Sequence, residues 1–574
     1  MNDVFMDIIG YRVSGSFLPE TLQNIRIRKD PTSTFVSLTN ERNQTFLDSL
    51  VSILEKTVSV VSILKQGSYS FTARCEYYKS TMQAMTDGCE VIHNAVLHNN
   101  CMFTYGVADL LIRSDKLASL FPHEPCVDVG VGVGAHPQLK KYVLLSVKDV
   151  KLPLTSDGKH LKNNQSTRVL KGVSFLLNQA LGVMQGYTPL RSYVIGSRWS
   201  YIHETNEYHG NSCFDKIGVV DFLHNDTEIS DYSREGVTWI RSLQENKISQ
   251  TMKHKTYPNM CQKNDYPYHS LKKVFADTHC EITAVWCCNE VHRVHAMDQG
   301  VYSWKDPNCT IDILGISGEY YRDRVQAILD INRQTSDIIR RIGSREVETQ
   351  DIIGSLHTSE TRTYYIDFET TTVHSRNVME HDIVTIDSTL IAMIGCGWVD
   401  GDGVWRFRSF VVDTLSLEGE RVMVQQFYDM LVSHTDNTTC MSTCIHWGHA
   451  EKTNLRDVIK RHSDHDWYML NLFDLCDYFK KNIIVVRGAL TFGLKDVTRA
   501  LHSNGVIDDV WDQNSDCMSG MDAMVQLLTI HQDVMRRGVL FSEHEMIRDI
   551  KTYNEVDCKV LYDILEFYLC ANIH

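Results

Sequence analysis

Two carboxylates two residues apart offer the first chemistry in this chain. Tyr365-Ile366-Asp367-Phe368-Glu369-Thr370 reads as an apolar strand, in which residues i and i+2 point to one face. Asp367 and Glu369 would stand side by side and repel each other unless a hard divalent cation, Mg2+ or Mn2+, lies against both. A third acid, Glu451, follows Ile445-His446-Trp447-Gly448-His449-Ala450, where an apolar run gives way to the helical pattern KTNLRDVIKRH. A fourth, Asp557, lies four residues after Tyr553 in a C-terminal helical segment, so the two share a helix face. Each piece has an ordinary explanation when taken singly: solvated acids on a strand, an acid complementing a helix dipole, a surface tyrosine and aspartate. Their order along the chain sets them apart.

The N-terminal half carries a second pattern. Asp109 lies in the strand-like GVADLLI, and Asp149-Val150-Lys151-Leu152 ends another strand about 40 residues on. Asp149 and Lys151 would share a face, giving acids for a divalent cation and an ammonium to orient water or to stabilise developing phosphorane charge. The plain alternative is an acid and an ion pair on two ordinary strands. A helix carrying Asp87 and Glu90 is expected over Thr81–Ala95. Between Lys140 and Gly172 stand eight Lys or Arg against Asp149 and Asp157, a local +6 in a chain of net charge −15. This reads either as a solvated face or as the footprint of a polyanion, with Lys148, Lys159, Lys162 and Arg168 as candidate nucleic-acid contacts.

The elements needed to position these groups are legible in outline. Strands are expected at 105–113, 142–152 and 191–197, with a helix at 169–185 between the last two. Helices are expected at 233–246 and 320–342. From Thr361 the order is three strands, a helix, a strand carrying CIHW, and then helices. Strands alternating with helices give an α/β fold class. The expected organisation is an N-terminal region (1–70), a first α/β domain (71–200), a mainly helical connecting region (201–342), a polar linker (343–360) and a C-terminal α/β domain (361–574) built on a mixed sheet flanked by helices.

Composition fits globular domains: 574 residues, 43% hydrophobic, 22% charged, 10 prolines. No apolar run is long enough to span a bilayer, and the start, MNDVFMDIIG, has neither a basic leader nor a small-residue cleavage site. With 17 scattered cysteines, an intracellular chain (cytoplasm or nucleus) with reduced thiols and no membrane association is expected. Cys261, Cys280, Cys287 and Cys288 lack C-x-x-C spacing and read as free thiols. Gly130-Val131-Gly132-Val133-Gly134 lacks the residues of a phosphate loop and reads as a hairpin. His446 and His449 lack the further partners of a zinc site. The Trp and Tyr residues of 199–208 could stack bases, with core packing as the default.

The C-terminal set, D-x-E on a strand, an acid at a strand-to-helix junction, then Y-x-x-x-D, resembles the DEDDy pattern of DnaQ-like 3′–5′ exonucleases. It is closer still to the RNase H-like domain of YprB-type nucleases over about residues 361–570. Leu472-Phe473-Asp474-Leu475 and Gly493-Leu494-Lys495-Asp496-Val497 match further segments of that family, and Glu451 stands where many members carry Asp. The resemblance implies in-line phosphodiester hydrolysis with two Mg2+ or Mn2+ ions. Asp367 would bridge both, Glu369, Glu451 and Asp557 would complete the ligand set, and Tyr553 would orient the attacking water. Residues 80–200, with T-x-x-A-M-x-x-G, G-x-A-D-x-L, D-x-K-L and Gln185-Gly186-Tyr187-Thr188-Pro189, resemble RecB-like PD-(D/E)XK nucleases. That implies one or two ions on Asp109 and Asp149 if the site is active, a further ligand from the 81–95 helix (Asp87 or Glu90), and Lys151 as a catalytic group. A DNA-contacting helix position falls at Gln179, although Val183 replaces the family's tyrosine. The same relatives imply DNA as the favoured substrate and a helicase as a partner. An RNA exonuclease, and a repair scaffold with inert nuclease folds, stay open as alternatives.

Overall fold

The computed structural model describes residues 28–31, 33–64, 71–122, 140–245, 257–262, 265–343, 361–434, 441–512, 515, 517 and 519–571. The expected linker from 344 onward and the Gly130–Gly134 hairpin lie outside the described residues. The fold is mixed α/β.

The N-terminal half begins with α1 (Thr34–Leu54), β1 (Val60–Ser62), α2 (Phe71–Thr86), β2 (Val91–Asn99), β3 (Thr104–Arg113), α3 (Ser114–Leu120) and β4 (Tyr142–Pro153). It continues with α4 (Gln165–Gln185), β5 (Arg191–His203), β6 (Asn206–Gly210), β7 (Gly218–Asp221) and α5 (Thr227–Gln244). The strands form one sheet in the order β1-β2-β3-β4-β5-β6, with β7 also on β5. β3 is antiparallel to both neighbours and β5 is parallel to β4, so α4 is the crossover that a parallel return requires. Leu110, Val143, Leu145 and Val147 bury one sheet face under α1. Leu111, Leu144 and Ala95 bury the other under α2 and α4. Asn164 caps α4 with a reciprocal capping box, and Gly186 ends it in the left-handed region.

The helix expected through Ala95 stops at Thr86. Gly88 turns at φ +72°, and VIHNAVLHN, rich in residues that favour strands, becomes β2. Glu90 is held by Arg113 and Lys116, and Asp87 accepts from Gln83.

The segment expected as one connecting region divides. Residues up to α5 complete the N-terminal sheet and its cover. After α6 (His269–His279) come α7 (Glu290–Asp298), α8 (Glu319–Arg333) and β8 (Ile339–Arg341), which pack into the C-terminal core, where Ile282, Val325 and Ile328 meet Phe479, Ile484 and Leu561. The helix expected to reach Ile342 therefore ends at Arg333, and β8 pairs with a C-terminal strand. Tertiary pairing overrides helical periodicity there.

The C-terminal half comprises β9 (Thr361–Val378), β10 (Ile383–Val399), β11 (Trp405–Val411), α9 (Leu417–Ser433), β12 (Met441–His446) and α10 (Ala450–Arg461). After these come β13 (Asn471–Asp474), α11 (Leu475–Lys481), β14 (Ile484–Val486), α12 (Leu494–Ser503), α13 (Gly520–Arg537) and α14 (Ile547–Cys570). The main sheet runs β11-β10-β9-β12-β13, antiparallel among the first three and parallel beyond. Tyr364, Ile366 and Phe368 of β9 point into a core with α9 and α10. Their odd-numbered neighbours, Asp367 and Glu369, therefore face the opposite side, which α14 covers. Among the described residues no helix is long and apolar enough to cross a membrane.

Candidate metal centre

Carboxylates of Asp367, Glu369 and Asp557 converge, with oxygens all within 4.8 Å of one another. Glu369 and Asp557 are each 5% exposed. Burying three acids together opposes their ionisation. Burial, then the charges of Asp557, Glu369 and Glu451, push the Asp367 carboxyl far above the usual range. Glu369 is raised by burial and Asp557, with Lys495 opposing. Asp557 is raised by burial, with Lys495 and a hydrogen bond from Tyr553 opposing.

Glu451 joins from the first turn of α10. It is buried and acts electrostatically on both Asp367 and Asp557, yet lies outside the tight group of three. Its Oε2 sits 3.3 Å from His446 Nδ1 but closes no hydrogen bond. The turn that presents it is held by Asp474, whose Oδ1 accepts from the backbone N–H of Gly448 and Asp477 at 2.8 and 3.0 Å. That is the role of the L-F-D-L segment: one carboxylate caps α11 and fixes the approach to α10.

Tyr553 hydrogen-bonds Asp557. Burial, then the neighbouring acids, drive its hydroxyl far above the ordinary tyrosine value. The Trp511 indole N–H faces the same carboxylate without a hydrogen bond of good geometry.

Two functional residues escaped the sequence reading. Asn554, fully buried, donates from Nδ2 to Asp367 Oδ2 at 2.7 Å. Its only sequence signal is its position between Tyr553 and Asp557, and N-x-x-D carries none on its own. Lys495 lies at the start of α12, its ammonium 4.6 Å from the Tyr553 ring centre and electrostatically coupled to Asp557 and Glu369. The G-L-K-D match pointed to this helix start and not to the cation's place.

The arrangement fits a divalent cation. The acids supply hard oxygen donors; among the described residues they form the one group of three or more such ligands. A buried carboxylate oxygen on Glu451 still lacks a partner. No family model, no curated protein and no solved structure matches this chain.

The N-terminal candidates are arranged differently. Asp109 Oδ2 accepts from the Val147 N–H at 2.8 Å and from Lys148 Nζ at 3.2 Å. Asp149 Oδ2 lies 2.5 Å from Arg376 Nη2 and 3.4 Å from Arg42 Nη2. Lys151 is exposed, in register with Arg198 of β5 just beyond an irregularity in the β4–β5 pairing. So Lys148, and not Lys151, meets an acid. His93 of β2 feels the charge of Asp109 and bonds Ser62 through Nδ1 at 2.9 Å.

The candidate polyanion contacts are dispersed. Lys159 is exposed beside Phe121, Phe214 and Lys216, and Lys162 is half-buried. Arg168 lies 4.0 Å from Glu228 and over the Tyr232 ring. Gln179 lines a cleft with Phe175, Pro189, Phe222 and Arg234. Trp199, Tyr201 and Tyr208 stack on one another.

Proposed function

We propose that the C-terminal half is a divalent-metal-dependent phosphodiester hydrolase, acting as a 3′–5′ exonuclease with DNA as the favoured substrate. The observation that carries this reading is the buried convergence of Asp367, Glu369 and Asp557. So many acids held together without matching cations make sense as a ligand set. The mixed sheet flanked by helices agrees with the RNase H-like resemblance, on which the polarity rests; the preference for DNA rests on the RecB-like resemblance of residues 80–200.

Asp367, Glu369, Asp557 and Glu451 would hold Mg2+ or Mn2+, which when bound supplies an acidified water and neutralises charge on the scissile phosphate. Asn554 fixes the rotamer of Asp367. Tyr553, already hydrogen-bonded to Asp557, stands ready to orient the water through its hydroxyl. Lys495 offsets part of the negative charge of Asp557 and Glu369.

The test is Mg2+-dependent shortening of a 5′-labelled single strand by the full chain and by Asp367→Ala. Loss of the product ladder in the variant supports the assignment. Equal shortening by both proteins ends it. Running DNA and RNA strands in parallel decides between the two substrates.

A further inference from the structure

β9 and β10 outrun their own domain. Their far ends reach the N-terminal half, where Ile383 is fully buried in the core beneath α1. Backbone bonds join the halves: Cys213 N–H to Ile383 C=O at 3.2 Å, and Thr385 N–H to Asn211 C=O at 2.9 Å. Ser212 Oγ donates to Asp382 at 2.7 Å.

A polar network lies beside this seam. Arg376 of β9 pairs with Asp149 and lies over the Phe46 ring. Arg42 of α1 lies 3.2 Å from His374 Nδ1, which is 2.5 Å from Asp387 Oδ1. Arg198 of β5 pairs with Asp387. Three guanidiniums thus surround two acids, and Lys148 holds Asp109.

This arrangement does not fit a bound divalent cation. Asp149 Oδ2 is already shared by two arginines, and Asp109 is engaged by a lysine and a backbone N–H. A metal ion there would meet excess positive charge at short range. It is Asp149 Oδ2 that faces the hairpin, through Arg376 and Arg42, while Oδ1 is buried without a hydrogen-bond partner.

We propose that Asp149 serves as a seat for the β9–β10 hairpin, with the Arg376 guanidinium standing where a nuclease-type site would place its metal ion. The N-terminal domain then holds the C-terminal domain's central strand and contributes no second cation site. An acid on β4, in the middle of one domain's sheet, has become the anchor for an arginine on the strand that carries the other domain's Asp367.

The experiment separates this from the metal centre already assigned. In an Asp367→Asn full-length background, Mn2+ binding is measured by calorimetry with and without Asp149→Asn. In parallel, amide hydrogen exchange of the 383–387 segment is followed in the otherwise native chain and in its Asp149→Asn and Arg376→Ala variants. The expected result is no Asp149-dependent Mn2+ binding, and exchange at Ile383 and Thr385 at least about tenfold faster in both variants. The double variant should exchange no faster than either single one. A binding isotherm that Asp149→Asn removes would overturn the proposal, as would unchanged exchange across the hairpin. Neither readout depends on nuclease activity.

Discussion

The Asn554 side chain fills the space that a side chain at Gly395 would need. Gly395 lies opposite Asp367 in the β9–β10 ladder, and a Cβ added there would overlap Asn554 Oδ1 and crowd Cys558 Sγ. The missing side chain lets α14 approach closely enough for the Asn554 amide to reach the Asp367 carboxylate. Changing Gly395 to Ala should cost about 1–3 kcal/mol by overpacking and lower activity by displacing Asp367's partner. Adding Asn554→Ala to that variant should return most of the stability, read as melting temperature, and none of the activity. If the double variant melts lower still, the two residues are not in steric conflict.

The clustered acids set a pH dependence with a definite sign. Their folded proton affinities are raised, so between the unfolded carboxylate range near pH 4 and the raised folded values the native state binds more protons. Metal-free stability should fall as pH rises through that window, and binding of Mg2+ should release protons. Melts in EDTA from pH 5 to 8, compared with melts in Mg2+, check this. The separation between the two curves should widen with pH.

Tyr553→Phe keeps the ring and its packing and removes only the hydroxyl. Turnover should fall about 10- to 100-fold while Mn2+ affinity stays within about threefold. Because burial holds the hydroxyl protonated, the alkaline limb of the native pH–rate profile should not belong to it. An alkaline limb that disappears in the variant would contradict this assignment.

Glu451→Gln tests the member of the set that stands apart. Because Glu451 Oε2 closes no hydrogen bond, the isosteric change to Gln should leave melting in EDTA nearly unchanged. The same change should weaken Mn2+ binding about 10- to 100-fold. Calorimetry and thermal melts give both numbers, and a large loss of metal-free stability would make Glu451 structural.

Local patterns were legible and long-range ones were not. Asp367 and Glu369 could be assigned to one strand face because alternation is a two-residue rule, and Tyr553 with Asp557 because helical neighbours are four apart. The strands at 105–113 and 142–152 and the helix at 169–185 stand close to where periodicity placed them. The turn at Gly88 and the strand after it were hidden because VIHNAV suits either a helix or a strand over so short a run. Arg376 reaching Asp149 was beyond reading, since nothing local to either residue records a partner 227 positions away. Lys495 was seen as the start of a helix, but its place among the acids depends on how α12 and α14 pack.

The seating of Ile383 beneath α1 bears on how this chain can be taken apart. A fragment beginning at Thr361 would carry an extended two-stranded arm with a bare isoleucine at its end, and Arg376 and Asp387 would lose their partners Asp149 and Arg198. The complementary fragment would leave the backbone groups of Asn211 and Cys213 and the Asp149 side chain bonding to water. Neither piece on its own is a natural unit for expression, and co-produced halves should find each other through this arm.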